Sequence, residues 1–121
     1  MSDENQEFDQ KAATFYSVAQ FLSEGNVPEG ADIALELFFI PQENADTPAF
    51  LKALKTFGYS AETQTEKVEG GASREAVIIN VDTTMTAEDI WLHEERTTKL
   101  AQSRGFAPDG WGFLEPDAKR K

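Results

Sequence analysis

His93 is the single histidine in the chain and stands beside Glu94 and Glu95, a grouping in which an imidazole could share a proton or a metal ion with carboxylates. The spacing does not suit a metal. A two-histidine zinc helix needs its ligands at i and i+4, and position 97 is threonine. On a helical projection His93 falls on the stripe expected to face the core, so it reads as a hydrogen-bonded structural histidine. Glu94, Glu95, Arg96 and Lys99 bring opposite charges to helical spacings, among them Glu95 with Lys99 at i,i+4, and read as a solvated helix face. Ser17, Ser23, Ser60, Ser73 and Ser103 lack the Gly-x-Ser-x-Gly elbow of a hydrolase. Gly70-Gly71 and the pair Gly110 and Gly112 lack the spacing of a phosphate-binding loop. With no cysteine present, disulfide frameworks, thiolate zinc sites and iron–sulfur clusters are excluded. The expectation is a chain without catalytic residues, metal ligands or cofactor.

The segment Gly105-Phe106-Ala107-Pro108-Asp109-Gly110-Trp111-Gly112-Phe113 is denser in aromatic and turn residues than any other part of the chain. Two readings stand side by side. In the first, Asp109 and Gly110 make a turn while Trp111 or Phe113 fills a sheet edge. In the second, the turn presents an indole beside an aspartate, the rigid amphipathic anchor that protein interfaces favour. Asp109, Gly110, Trp111 and Phe113 are therefore the candidate partner-binding residues.

These residues need elements to hold them. Phe8, Ala12, Phe15, Ala19 and Leu22 recur at spacings of four and three, which predicts an amphipathic helix over 4–24 ending at Gly25. Ile33, Leu35, Leu37 and Phe39 alternate with Ala34, Glu36, Phe38 and Ile40, the pattern of a strand buried largely on both faces. Asp46-Thr47-Pro48 predicts a helix start, and Gly58 a helix end with Tyr59 folding back toward Leu54. Ser60 to Lys67 alternates threonines with charges and reads as an edge strand, joined through Gly70-Gly71 to a central apolar strand over Glu75 to Val81. Thr86 with Asp89 resembles a capping box, flanked by Met85 and Ile90 as a staple, and opens a helix to about Ser103. Its core-facing side is expected to carry Ile90, His93, Thr97, Leu100 and Ala101. Pro108-Asp109-Gly110 then predicts a turn into a short strand at Trp111-Gly112-Phe113.

The order is helix, then strand–helix–strand–strand–helix–strand, which spells an α+β ferredoxin-like sandwich (βαββαβ, antiparallel four-stranded sheet) with an extra N-terminal helix. Residues 1–30 form that helix and turn packed on the domain, 31–115 the ferredoxin-like domain, and 116–121 a frayed charged tail. Strands one and three should be central and two and four at the edges. The sheet face away from the two core helices needs cover, from the N-terminal helix or from a second copy.

At 121 residues the chain supports one core, and 22 acidic against 11 basic residues give a formal net charge of -11. Such a balance repels phosphate backbones and anionic lipid, so direct nucleic-acid or membrane binding is not expected. The first twenty residues lack a basic region before an apolar run, and a cytoplasmic location is expected.

The Pro-Asp-Gly-Trp-Gly-Phe ending, following a helix that closes on Leu100-Ala101 and Gly105-Phe106, resembles the Tyr-Asp-Gly-Trp signature of the ribonuclease E inhibitor B family. The resemblance runs from about Val18 to Phe113, through Leu22–Gly25, Leu37-Phe38-Phe39, Phe50–Tyr59 and Met85–Trp91. Its specific part is Asp109-Gly110-Trp111. Pro108 and Gly112 depart from the aromatic and acidic residues that often flank this core in the family, and the first strand lacks the family's histidines. The resemblance implies a cytoplasmic, non-catalytic regulator that binds ribonuclease E and restrains RNA decay, and a domain of charge -11 could engage a basic region of that enzyme electrostatically. Either a monomer or a weak homodimer is compatible with it. Two other readings are carried forward: a ferredoxin-like ligand sensor or enzyme using His93 and Asp109 in a cleft between sheet and helix, and a dimeric interaction module.

Overall fold

Apolar alternation from Ile33 to Phe39 makes β1 (Asp32–Pro41) a strand with one face of four buried residues, and the rest of the fold assembles on that face. The computed structural model describes residues 3–25, 27–67, 70–71 and 73–114, with side chains from 9 to 113. The expected tail 116–121, Val68, Glu69 and Ala72 of the hairpin connection, and the side chains of Glu4 and Phe8 lie outside the described residues. Within them the order is α1 (Asp3–Ser23), β1, α2 (Thr47–Thr56), β2 (Ser60–Lys67), β3 (Ser73–Thr84), α3 (Ala87–Gln102) and β4 (Phe106–Leu114). The result is a mixed α+β architecture, a four-stranded antiparallel sheet in the order β2-β3-β1-β4 with helices on one side. The apolar strands β1 and β3 are central, as their hydrophobicity predicts, and the charged β2 is an edge.

Local signals set the helix ends. The Asp46 carboxylate accepts from the Ala49 N–H at 3.2 Å to open α2. At its other end Gly58 takes a positive φ of 86°, and the Tyr59 N–H returns to the Leu54 carbonyl at 2.9 Å. The Thr86 hydroxyl accepts from the Asp89 N–H at 3.1 Å, and Met85 and Ile90 are fully buried around it. The box closes differently from expectation, because the Asp89 carboxylate accepts from the Thr84 hydroxyl and the Thr86 N–H goes to the Thr84 carbonyl.

The core lies between sheet and helices. Leu35, Leu37, Phe39, Val77 and Ile79 meet Phe50, Leu54 and Ile90, and Phe106 stacks on Phe50 with ring centroids 4.7 Å apart. Full burial of such side chains is worth about 1.5–3 kcal/mol each. The N-terminal helix does not cover the opposite sheet face. It lies beside α3 on the side of Leu35 and Leu37, where Phe21 meets Trp111 and Phe113, the cross-strand partners of those leucines. Half-buried Phe38, Ile40 and Ile78 consequently occupy a face that none of the described helices covers.

The packed line of α1 also differs from the apolar stripe read from spacing. Ala12 and Ala19 are exposed, whereas Thr14 and Val18 are buried, with Gln10 and Phe21 continuing their line at spacings of four and three. A helix projection ranks faces by apolarity, and here the packed face also carries a polar contact: the Thr14 hydroxyl donates to the Glu94 carboxylate of α3.

Candidate aromatic and carboxylate groove

The Asp109-Gly110 pair interrupts a strand and does not turn it. Leu37 is paired with Trp111, and two residues further along β1 Phe39 is paired with Pro108, so Asp109 and Gly110 together oppose Phe38. This is a β-bulge, and Gly110 carries the positive φ of 104° that it requires. The expected turn and three-residue strand are thereby corrected: β4 runs unbroken from Phe106 to Leu114, since β1 is long enough to pair on both sides of the bulge. Pro108 fits there because β4 is an edge strand.

The four sequence-predicted residues divide by the bulge. Asp109 and Gly110 are exposed, while Trp111 and Phe113 are half-buried on the helix side. Phe21 of α1 packs edge-on against Phe113 at 5.0 Å and tilted against Trp111 at 6.0 Å, and the two β4 rings are 6.5 Å apart. Of the structural reading, the packing of Trp111 and Phe113 at the sheet edge holds and the turn does not. The aromatic pair fastens α1 to the sheet edge, and the bulge beside it turns an aspartate and a bare backbone outward.

Between α1, α3 and β4 lies a cavity of about 670 Å³, lined in part by Thr14, Phe21, Trp91, Glu94, Thr98 and Trp111. Glu94 sits in its wall. In place of the solvated position that helical spacing predicts, it is 5% exposed, because α1 covers that side of α3. Its carboxylate accepts from the Thr14 hydroxyl and from the Gln10 amide at 3.1 Å, and the same amide reaches the Thr98 hydroxyl at 3.2 Å. Burial pushes the Glu94 carboxyl above the usual carboxylate range, and the Thr14 and Gln10 donors offset part of that rise. Glu95 and Lys99, also at the cavity, pair at 3.5 Å along the α3 surface.

His93 belongs to a different side of α3. Its Nδ1 lies 3.0 Å from the Tyr59 hydroxyl, with the rings edge-on at 5.8 Å. Burial, reinforced by the Arg96 cation and opposed by Asp89, holds its pKa below the ordinary histidine value. A hydrogen-bonded histidine was expected here. Neither His93 nor Asp109 lines this cavity, so the cleft expected to use both is not the one between α1, α3 and β4. Among the described residues no group of three or more His, Asp or Glu side chains is placed to hold a metal ion.

Sequence reasoning missed Gln10, Thr14, Trp91, Glu94 and Thr98. The four polar ones had a single signal, a pair of i,i+4 couples, Gln10 with Thr14 and Glu94 with Thr98, one on each helix, and Trp91 had none. Either couple alone looks like a solvated face. Facing each other, they become one buried network.

Among known proteins, a family model described as RraB, regulator of ribonuclease activity B, matches residues 5–113. No curated protein matches the chain. No helix among the described residues is long and apolar enough to cross a membrane.

Proposed function

Since the chain belongs to the regulator of ribonuclease activity B family, we propose that it is a non-catalytic acidic protein that binds ribonuclease E and restrains its endonucleolytic cleavage of RNA. The observation that carries this reading is the position of the signature within the matched span. Asp109 and Gly110 are exposed on a bulge, and Trp111 and Phe113 pack behind them against Phe21. Rigid aromatic anchors beside exposed polar backbone suit an interface, because little conformational entropy remains to be lost on docking.

The partner is a protein with a basic region. A formal charge of -11 attracts such a region from a distance and competes with RNA for it. Strand order and the two crossover helices support assignment of residues 31–115 to the ferredoxin-like class, with 1–30 docked on it. A cytoplasmic site of action goes with this reading.

The test is cleavage of a short RNA by the host organism's full-length ribonuclease E, titrated with this protein at two salt concentrations. Dose-dependent inhibition that weakens as salt rises is expected. Absence of inhibition and of binding at both salts would contradict the reading and leave a family fold with another target.

A further inference from the structure

We propose that the groove between α1 and α3 receives an arginine or lysine side chain carried on an apolar segment of a protein partner, its charge set against Glu94 and its stem along the Trp91 and Trp111 walls. This rests on the reading that the protein docks a ribonuclease through the β4 bulge, and it assigns the chemistry of the group inserted.

Four observations support it. Glu94 is 5% exposed, and the groups hydrogen-bonded to it, Thr14 and Gln10, are neutral. A buried carboxylate held only by neutral donors carries a desolvation penalty that an entering cation would offset, consistent with the upward shift of its pKa. The cavity, at about 670 Å³, exceeds the space of one side chain and suits a short segment. Its walls include two indoles and the Phe21 ring, surfaces on which a guanidinium or ammonium group is stabilised by the ring quadrupole. Finally, Pro108 and Gly110 border the cavity, so the groove is continuous with the exposed bulge. A free small cation would leave that adjoining surface unused, whereas a protein segment engages both.

The probe is the peptide acetyl-Leu-Arg-Leu-amide, compared with its citrulline counterpart, which keeps the shape and loses the charge. The indole N–H resonances of Trp91 and Trp111 are followed during titration of the wild-type protein and of Glu94→Gln. Saturable shifts of both indoles with the arginine peptide are expected, at least tenfold weaker for the citrulline peptide and for the variant. Equal binding of the two peptides, undiminished binding by folded Glu94→Gln, or no indole shift would overturn the inference, whatever the protein does to ribonuclease E. If the variant does not fold, the two-peptide comparison on wild type decides. Methylguanidinium binding as tightly as the peptide would overturn the choice of a protein segment. Arginine-selective shifts without any effect on ribonuclease E would uphold the groove chemistry and remove the proposed target.

Discussion

Gly105 occupies a place with no room for a side chain. Its φ is +83°, and a Cβ there would stand 2.5 Å from the Asn44 carbonyl oxygen and 2.7 Å from the Ala45 Cα. Both contacts are backbone, fixed in turn by hydrogen bonds from the Gln42 N–H to the Gly105 carbonyl and from the Asp46 N–H to the Arg104 carbonyl. Gly105→Ala should therefore lower stability by about 2 kcal/mol or more in urea unfolding, strain and clash adding. A loss under about 1 kcal/mol would show that this junction yields. Glu94 makes the opposite case. Its folded pKa lies above the ordinary glutamate value of 4.5, so the folded state binds the extra proton and stability falls as pH rises from 4.5 through the folded pKa. Glu94→Gln removes that dependence with little change in volume. The variant should melt higher than wild type at pH 7, with the difference closing as pH falls to 4.5; a constant difference across the range would contradict the assignment. His93 was legible in the sequence because its stripe faces its own domain. Glu94, the next residue, was not, because its burial depends on a second helix whose orientation no single-helix pattern encodes.

At the scale of elements, the helix ends and the order of helices and strands were legible because they rest on short-range chemistry. Asp46 caps α2, Thr86 caps α3, and the apolar alternation of β1 and β3 placed them at the sheet centre. What escaped was contact between elements. The bulge in β4 looked like a turn, since Pro-Asp-Gly serves both and the deciding factor is whether a neighbouring strand continues past it. The side of the sheet taken by α1 escaped for a similar reason. Phe21 joins that helix to β4, so Phe21→Ala should cost about 1–2 kcal/mol and shift tryptophan emission to the red as Trp111 gains water. Unchanged emission with unchanged stability would mean that the helix is held elsewhere.

Over the whole molecule, among the described residues, three helices share one sheet face and leave Phe38, Ile40 and Ile78 half-buried on the other. Glu36 and Glu62 stand on that same face, Glu62 directly across from Ile78, so close approach of a second acidic copy meets like charge. The groove and bulge lie toward the helices, where a buried carboxylate, aromatic walls and an exposed aspartate adjoin one another. On the proposed function, net charge would bring a basic partner near and short-range contacts at β4 would hold it. Salt should therefore slow association, while removal of the indole should mainly speed release. The most direct measurement is the affinity of full-length ribonuclease E for the wild-type protein and for Trp111→Ala, with circular dichroism and urea unfolding confirming that the variant is folded. A loss of about 30-fold, equivalent to about 2 kcal/mol, is predicted for the variant. Equal affinity in a folded Trp111→Ala would contradict the assignment of the interface to this edge of the sheet.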